Sequence, residues 1–483
     1  MPDFLISVGD FLIGSIDFLN NIFWTYILIG LLIGLGIYFT IRTKFVQIIK
    51  IKEMFLVLFD KATISADGRK QISSMQAFLI GAATRIGTGN IAGVATAIAA
   101  GGPGAVFWMW VVALLGGATA FVESTLAQIY KVKDKVGFKG GPGYYMTKQL
   151  GSKLLATIFA ASIIISFGLI FNSVQSNTIA EAFGGSFDTN KYLVGAVLAI
   201  LTGIIIFGGI TRIARFSEII VPIMSVFYII LATYVLIVNF SAIPDVFLLI
   251  IKSAFGLQEV VGGGMGAAVM MGVKRGLFSN EAGMGSAPNA AATATVSHPV
   301  KQGFIQSLGV FFDTLIVCSA TAFIILLSGQ APSEELTGVV LTQAALGDHF
   351  GSWAGYFLSI AIFTFAFSSI IGSYYYGEAN IEFINKNKVT LTIYRIAAMG
   401  MVFFGSVVSL ATVWSLADLA MAIMATVNLI AIALIGKFAF AALKDYLAQR
   451  KEGKDPVFYA DSIDGLKGVE AWENRPDVKT KKA

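Results

Sequence analysis

Long apolar runs, with few or no charged residues, recur along the whole 483-residue chain. Runs of about 20 such residues are long enough to cross the hydrocarbon core of a membrane as helices. Two of the runs, 76–100 and 259–297, differ from the others because Gly, Asn, Ser and Arg interrupt them. The pattern predicts eleven membrane-spanning helices, at 22–41, 76–100, 104–122, 154–180, 192–211, 219–242, 259–297, 303–328, 353–377, 396–417 and 419–441.

The composition supports an all-α polytopic membrane protein. Apolar residues make up 56% of the chain and charged residues 13%, whereas a soluble domain carries about 25% charged residues. This excludes a single soluble domain and a disordered chain. The 51 glycines indicate close helix packing or interrupted helices. With one cysteine and two histidines, the chain offers little material for disulfides, metal clusters or other cofactor sites.

The distribution of Lys and Arg predicts the orientation in the membrane. If residue 1 lies outside, the predicted cytoplasmic segments hold 28 basic residues and the opposite side holds two, Lys191 and Lys252. Cytoplasmic loops carry the excess of basic residues, so we expect the N-terminus outside and the C-terminus inside. The same distribution accounts for the net charge of +5 without a nucleic-acid partner.

Six segments follow from this topology. Acidic residues spaced by seven in an apolar context suggest a surface-lying amphipathic helix at the N-terminus. The charged C-terminal segment is expected to be solvated by the cytosol, with contact to membrane lipids as the alternative. The segments are 1–21 (interfacial helix), 22–41 (extra spanning helix), 42–75 (cytoplasmic connector), 76–242 (first five-helix repeat), 259–441 (second five-helix repeat) and 444–483 (cytoplasmic tail).

The two interrupted spans share a motif. Residues 85–93 and 275–283 both follow the pattern R-x4-N-x-A-G, at an offset of 190 residues. By the topology above, the two spans cross the membrane in opposite directions, so the repeats are inverted. Inverted repeats with Gly-interrupted helices indicate a secondary transporter whose site lies near the membrane midplane. The alternative is that these glycines only permit close helix packing.

Interrupted helices suit the binding of a zwitterion and a small cation. Glycines at 87, 89, 283 and 285 allow the backbone to leave the helical path. The freed N–H groups can bind a carboxylate, and the freed carbonyls can replace the hydration shell of sodium. Side-chain oxygens are available nearby from Thr88, Asn90, Ser279, Asn280 and Ser286.

Other polar residues within spans are candidates for function. Asn172 and Gln175 lie three residues apart on one helix face. Gln175 can bind the ammonium or hydroxyl groups of a substrate, with Phe171 and Phe167 covering the pocket. An ordinary interhelical hydrogen bond is an equally weighted alternative. Among the acids in or beside spans, Asp313 lies in mid-span and is the strongest candidate for a role beyond a structural ion pair.

Two longer stretches, GTGNIAGVATAIAAGGPGAVFWMW (87–110) and SNEAGMGSAPNAAATA (279–294), closely resemble the prokaryotic alanine or glycine:cation symporters, the sodium/alanine symporter family. The stretch GGPGYY (140–145) and the segment around Asp313 are also similar to family elements. The resemblance covers essentially residues 22–441. It implies the five-plus-five inverted-repeat fold of amino-acid transporters, with two discontinuous helices and one extra N-terminal helix, in a prokaryotic plasma membrane.

The resemblance also implies site residues. Thr88 and Gly89 would meet the substrate carboxylate, and Ser279, Asn280, Gly283 and Met284 would line the second broken helix. By analogy with this fold, sodium would lie between the first broken helix and the eighth core helix. Its ligands would be the carbonyls of Ala83 and Ile86 and the hydroxyls of Ser368 and Ser369.

We therefore expect sodium-coupled symport of a small neutral amino acid, alanine or glycine, by alternating access, with sodium as coupling ion and no other cofactor. A proton-coupled or glutamine-selective transporter of the same fold is the main alternative. An intramembrane serine hydrolase that uses Ser286 or Ser279 with His298 is a weak alternative, because a nucleophile needs a base within hydrogen-bond reach. A passive channel is a third, although no charged ring or carbonyl filter is evident.

Overall fold

The computed structural model describes residues 3–60, 72–134, 137–208, 210–257, 264–333 and 335–475. The N-terminal part comprises α1 (Asp3–Asn21), a π-helical stretch (Ile22–Leu28), α2 (Ile29–Arg42), α3 (Val46–Ile49) and α4 (Ile51–Leu58). The next elements are α5 (Ser74–Arg85), a π-helical turn (Gly89–Gly93), α6 (Val94–Gly101), α7 (Gly104–Ile129), β1 (Val132–Asp134), β2 (Gly137–Lys139), α8 (Pro142–Lys148), α9 (Lys153–Ile165), a π-helical stretch (Ser166–Phe171), α10 (Asn172–Phe187), α11 (Lys191–Ile206) and α12 (Ile210–Val238).

The second half follows a 3-10 turn (Phe240–Ala242). It comprises α13 (Ile243–Ala254), α14 (Met265–Asn280), α15 (Ala287–Ala291), α16 (Pro299–Phe311), a π-helical stretch (Phe312–Cys318), α17 (Ser319–Leu326), α18 (Gly338–Phe350), α19 (Trp353–Ile384), α20 (Lys388–Val407), α21 (Leu410–Lys451) and a 3-10 turn (Ala460–Ser462).

The protein is an all-helical polytopic membrane protein, and the fold class predicted from the sequence is confirmed at this level. Within the described ranges, seven helices are long and apolar enough to span a membrane, and a helix pair bent by 80° at residue 239 adds an eighth. The shorter α11 and the two interrupted spans account for the remaining predicted segments. Strands β1 and β2 form one small antiparallel hairpin. The inverted five-plus-five relation of the two halves stays a prediction.

Two boundaries differ from those predicted by the sequence. The helix that begins at Asp3 continues without a break to Arg42, so position 21 is not a boundary between two helices. The last two spans meet at 408–409 rather than at residue 418, because Ser409 caps the N-terminus of α21. The connector 42–75 contains α3 and α4, while its residues 61–71 lie outside the described part of the chain.

The C-terminal tail is docked onto the helices instead of extending into solvent. The backbone N–H of Phe458 donates to the carbonyl of Ser297 at 2.9 Å, and the Trp472 indole donates to the carbonyl of Gln128 at 2.9 Å. The ammonium of Lys301 contacts Asp455 at 2.9 Å. These contacts replace the expected solvated tail with a segment that covers the ends of α7 and α16.

The core is built around α7. This helix packs against α14 and α16, while α10 packs against α19 and α20. Glycines permit the closest approaches: a Cβ at Gly104 would lie 2.4 Å from the backbone of Ala254, and one at Gly272 would lie 2.4 Å from the carbonyl of Ala105. The interrupted spans α5–α6 and α14–α15 therefore lie inside the bundle, surrounded by longer helices.

Candidate functional site

The first broken helix has its interruption between α5 and the π-helical turn at Gly89. Ile86 adopts extended backbone angles (φ −79°, ψ 91°), which ends α5. Glycine is required at the next position, because a Cβ on Gly87 would lie 2.1 Å from the hydroxyl of Ser369. The chain re-enters helical geometry at Thr88. The interruption thus lies directly against α19.

Neutral side-chain amides satisfy the freed N–H groups of this first break. The N–H of Gly87 donates to Oδ1 of Asn90 at 2.9 Å, and the N–H of Thr88 donates to Oε1 of Gln175 at 3.0 Å. The hydroxyl of Thr88 is buried without a hydrogen-bond partner among the described residues. Gln175 therefore makes an interhelical hydrogen bond, and this bond ends on the backbone of the break itself.

The second broken helix is interrupted over Glu281–Ser286. Glu281 is in the left-handed conformation (φ 58°), as are Gly283 (φ 87°) and Gly285 (φ 79°). The amide oxygen of Asn280 accepts from the N–H of Ala282 at 3.0 Å. Asn280 therefore caps its own break, as Asn90 does in the first, which gives the shared motif a common structural role.

A carboxylate on α7 already occupies the N–H groups of this second break. Glu123 accepts from the N–H groups of Gly283 and Gly285, both at 3.1 Å, and from the amide of Asn428 at 2.8 Å. Asn428 in turn donates to the carbonyl of Gly283 at 2.9 Å and accepts from the hydroxyl of Tyr145. No sequence pattern assigned Glu123 to this break, although an acid directly beside a predicted span is a signal for a role in the core.

Asp313 joins the two broken helices. Its carboxylate accepts from the amide of Asn90 at 2.6 Å and from the hydroxyl of Ser279 at 2.7 Å, and Asn90 also donates to Ser279 at 3.1 Å. The thiol of Cys318 lies 3.3 Å from the Asn90 amide. Asp313 was singled out by its mid-span position, whereas nothing in the pattern indicated Cys318.

Arg85 is buried beside both breaks. It is 2% exposed, and its guanidinium donates to no group in the described residues. Its positive charge attracts the buried carboxylates of Glu123, Glu281 and Asp313. Opposite charge is what makes carboxylates tolerable at membrane depth, so this one cation helps to hold three acids in the core.

A row of aromatic rings covers the first break on one side. The ring of Phe171 lies 4.7 Å from that of Phe278, which lies 4.6 Å from that of Trp414. Phe167 contacts Phe171 at 4.4 Å. A Cβ at Gly89 would lie 3.0 Å from the Phe278 ring. The rings therefore pack directly on the segment that carries Thr88 and Gly89.

Oxygen atoms converge at the end of α5, where a sodium site was predicted. The hydroxyl of Ser369 is 2.9 Å from the carbonyl oxygen of Ala83 and 3.4 Å from that of Ile86. The hydroxyl of Ser368 instead donates to the carbonyl of Phe365 in its own helix, at 2.8 Å. Carbonyls and hydroxyls are suitable ligands for a hard cation, so the residues present fit sodium.

The predicted residues thus fall into two groups. Those with mutual contacts around the first break are Ala83, Ile86, Thr88, Gly89, Asn90, Phe171, Gln175, Ser279 and Ser369. Four predicted residues have their described contacts elsewhere: Asn280, Gly283, Met284 and Ser368. For example, the N–H of Gly283 donates to Glu123, and Met284 is buried in the second break. Phe278 and Trp414 join the first group without having been predicted as site residues.

The serine hydrolase alternative lacks a base. His298 uses one ring nitrogen to accept from the N–H of Val300 at 3.2 Å and the other to contact Asp445 at 3.2 Å. Ser279 bonds to Asp313, and Ser286 donates to Glu281 at 2.6 Å. Neither serine is paired with the histidine, so the nucleophile and base of that mechanism are not assembled.

A helical membrane bundle with two interrupted helices facing each other in its core is the architecture of a transporter. The model of the Sodium:alanine symporter family matches residues 10–460, and the chain belongs to that family. The family resemblance of the sequence is thereby confirmed, and the protein is a transporter, not an enzyme.

Relatives are similar over nearly their whole length. The chain is 56% identical to the amino-acid carrier protein AlsT of Bacillus subtilis, over 94% of this chain and 96% of that protein. It is 54% identical to the probable sodium/glutamine symporter GlnT of the same organism, over 94% of both chains. A manganese transporter mutant of Eremococcus coleocola shares the fold, with a TM-score of 0.50 and 15% identity over 79% of this chain and 81% of that one.

Proposed function

We propose that the protein carries a small neutral amino acid, alanine or glycine, into the cell together with sodium by alternating access. The observation that carries this proposal is the hydrogen bond from Thr88 N–H to Gln175. A neutral amide holds this N–H, and a substrate carboxylate makes a stronger, charge-assisted bond to the same group. Thr88 and Gly89 then bind the carboxylate, as the family resemblance implies.

The surroundings of Gly89 favour a small substrate. A Cβ at Gly89 would lie 3.2 Å from Cα of Ser279, so the two broken helices approach closely here. Phe171 and Phe278 close the same region with apolar rings. In this proposal Gln175 and Ser279 contact the polar groups of the substrate, while Asn90 and Asp313 hold the two broken helices in position. Asn280, Gly283 and Met284 shape the second break.

Sodium is proposed to bind where α5 ends. The carbonyls of Ala83 and Ile86 and the hydroxyl of Ser369 form the core of its ligand set, and Ser369 already lies within 3.4 Å of both carbonyls. The hydroxyl of Ser368 would join them by turning away from the carbonyl of Phe365. Thr88 lies two residues beyond Ile86, so cation binding here would order the backbone that binds the carboxylate. This proximity gives a direct route for coupling the ion to the substrate.

The test is uptake of labelled alanine and glycine into proteoliposomes under a sodium gradient, a proton gradient or neither. We expect accumulation only with sodium. Ser369→Ala should raise the half-saturating sodium concentration about tenfold, which corresponds to about 1.4 kcal/mol. Ser373→Ala, one turn further along the same helix, is the matched control. Accumulation with protons alone would contradict the sodium site and leave the fold unaffected.

Glutamine is a second candidate substrate. The observation that favours it is the 54% identity to a protein named as a probable sodium/glutamine symporter. Unlabelled glutamine should compete weakly with labelled alanine if the substrate is small, because its longer side chain would have to displace the rings of Phe171 and Phe278. Competition at least as strong as that of unlabelled alanine would assign glutamine instead.

We also propose a plasma-membrane orientation with the N-terminus outside. The support is the distribution of basic residues, 28 against two. Single cysteines introduced at Gln330 and at Lys454 can test it in intact cells, since Cys318 is buried and gives little background. An impermeant maleimide should label the first and not the second, and the reverse pattern would contradict the orientation.

A further inference from the structure

A cavity of about 440 Å³ lies outside the central site. It opens to the surface and is lined by the N-terminal helix, the middle of α14 and the first turns of α21, at the opposite end of α21 from the docked tail. The distribution of basic residues assigns this end of the bundle to the outside. Its volume falls in the range of small-molecule sites, about 300–1,000 Å³.

The wall of this cavity contains polar groups without partners. Oδ1 of Asp418, Oδ1 of Asn20 and Nε1 of Trp414 make no hydrogen bond within the described residues. Asp418 and Trp414 are each 5% exposed. An unpaired buried polar group costs about 1–3 kcal/mol, so three such groups in one wall are unusual. A ligand that forms hydrogen bonds with them would account for their position.

The charges in the wall match a zwitterion. Lys274 is loosely held, with its ammonium 3.4 Å from Asp418 and 5.4 Å from the centre of the Trp24 ring. It can therefore turn toward a carboxylate, to which the Trp414 indole N–H can also donate. Asp418 and Asn20 supply acceptors for an ammonium group.

We propose that this cavity is a second binding site for the amino acid that the protein transports. Lys274 and Trp414 receive the carboxylate, and Asp418 and Asn20 receive the ammonium. The site holds the amino acid on the outer side before it passes to the central site. This inference rests on the proposed function, because it takes the same amino acid as ligand.

The same residues connect the cavity to the rings that cover the central site. The guanidinium of Arg275 contacts Asp418 at 2.8 Å and lies 4.0 Å from the centre of the Trp414 ring. Trp414 packs on Phe278, which packs on Phe171. An ammonium group bound at Oδ1 of Asp418 shares the charge of that carboxylate with Arg275, which is held at Oδ2. Occupation of the outer site therefore weakens the ion pair that positions Arg275 against the Trp414 ring.

The test is equilibrium binding of labelled alanine to the purified full-length protein in sodium. We expect about two alanine molecules per wild-type chain. Lys274→Met should weaken binding at one site at least tenfold, and Gln175→Ala should weaken binding at the other. Lys191→Met is the control, because the Lys191 ammonium lies on the same predicted side and donates to the Val407 carbonyl, away from the cavity. Asp418→Asn, which preserves shape, is the second variant if Lys274→Met lowers the melting temperature.

The outcomes separate this inference from the proposed function. One site per chain, weakened by Gln175→Ala and unaffected by Lys274→Met and Asp418→Asn, overturns the outer site and leaves the proposed function standing. No binding of alanine, glycine or glutamine in sodium overturns both. Two alanine molecules per chain, with binding of one of them weakened by Lys274→Met and by Asp418→Asn, would support the outer site.

Discussion

The two broken helices share a motif but satisfy their freed backbone groups differently. In the first, Gly87 and Thr88 donate to the neutral amides of Asn90 and Gln175. In the second, Gly283 and Gly285 donate to the carboxylate of Glu123. Bonds to a charged acceptor are roughly twice as strong as neutral ones. The first break is thus open to exchange with a charged ligand, whereas the second holds a permanent one from its own chain.

This difference assigns distinct tasks to two similar sequences. A substrate carboxylate gains by replacing the amide of Gln175 at Thr88, but it would gain little at Gly283, where it would displace an equivalent carboxylate. The second break is instead tied to α7 and α21 through Glu123 and Asn428. We infer that the second break is a fixed support and that the first is the adjustable part of the site.

Glu123→Gln should have the largest effect, because it removes the carboxylate that holds the second break in place. Gln keeps one acceptor oxygen, but in either orientation its NH₂ group would face N–H donors, that of Gly283 or those of Gly285 and Asn428. We expect the free energy of unfolding to fall by about 2–4 kcal/mol, which thermal melting in detergent would detect. We also expect uptake into proteoliposomes to be lost. Glu181→Gln, at an exposed position on α10, is the control. A fully stable, active Glu123→Gln would mean that the two breaks are equivalent.

Gln175→Ala should have a smaller effect, mainly on affinity. Once the substrate carboxylate has replaced its amide at Thr88, Gln175 contacts the other polar groups of the substrate, and loss of one such neutral hydrogen bond costs about 1 kcal/mol. We therefore expect KM for the amino acid to rise about fivefold, with a melting temperature lowered far less than by Glu123→Gln. Asn172→Ala is a matched control, because the Asn172 amide donates to Gly168 in its own helix. Equal effects of the two variants would show that Gln175 serves helix packing rather than the adjustable break.

The sequence was sufficient to predict the helical membrane fold and the positions of both breaks, because apolar length and interrupting glycines are local signals. Polar residues at the first break and on α10 also indicated Thr88, Asn90 and Gln175 as candidate site residues, while the family resemblance contributed the carboxylate-binding role of Thr88 and Gly89. That these residues bind the substrate stays a prediction. It did not predict that Glu123 occupies the second break. That pairing joins residues 160 positions apart, and no local pattern specifies which acid faces which backbone group.

The docked tail was missed for a related reason. Its charged composition is typical of a solvated segment, yet a few apolar side chains fix it in place. The ring of Phe458 packs against that of His298 at 5.3 Å and against that of Trp472 at 5.2 Å. Because composition averages over such anchoring residues, it indicates the polarity of the tail but not its contacts with the helices.

The smallest predicted effect is a pH-dependent loosening confined to the second broken helix. Burial lowers the pKa of His298 below its usual value near 6.5, while Asp445 partly opposes this shift. A base with a lowered pKa in the folded state contributes stability above its unfolded pKa, and this contribution is lost as the pH falls below about 6.5. Acid should therefore weaken the contacts of the tail with Ser297 and His298, next to the end of the second broken helix.

Single cysteines at Thr295, two residues before the tail contact at Ser297, and at Ala99, in the first broken helix, can measure this effect in the purified protein. The ratio of their maleimide reaction rates removes the part of the pH dependence of the thiol–maleimide reaction that both positions share. We expect the ratio of Thr295→Cys to Ala99→Cys to rise roughly threefold between pH 7.5 and 5.5, a local opening of under 1 kcal/mol. Adding His298→Asn should abolish the rise. A parallel increase at Ala99 would show that acid loosens both broken helices, and it would remove the distinction between a fixed and an adjustable break.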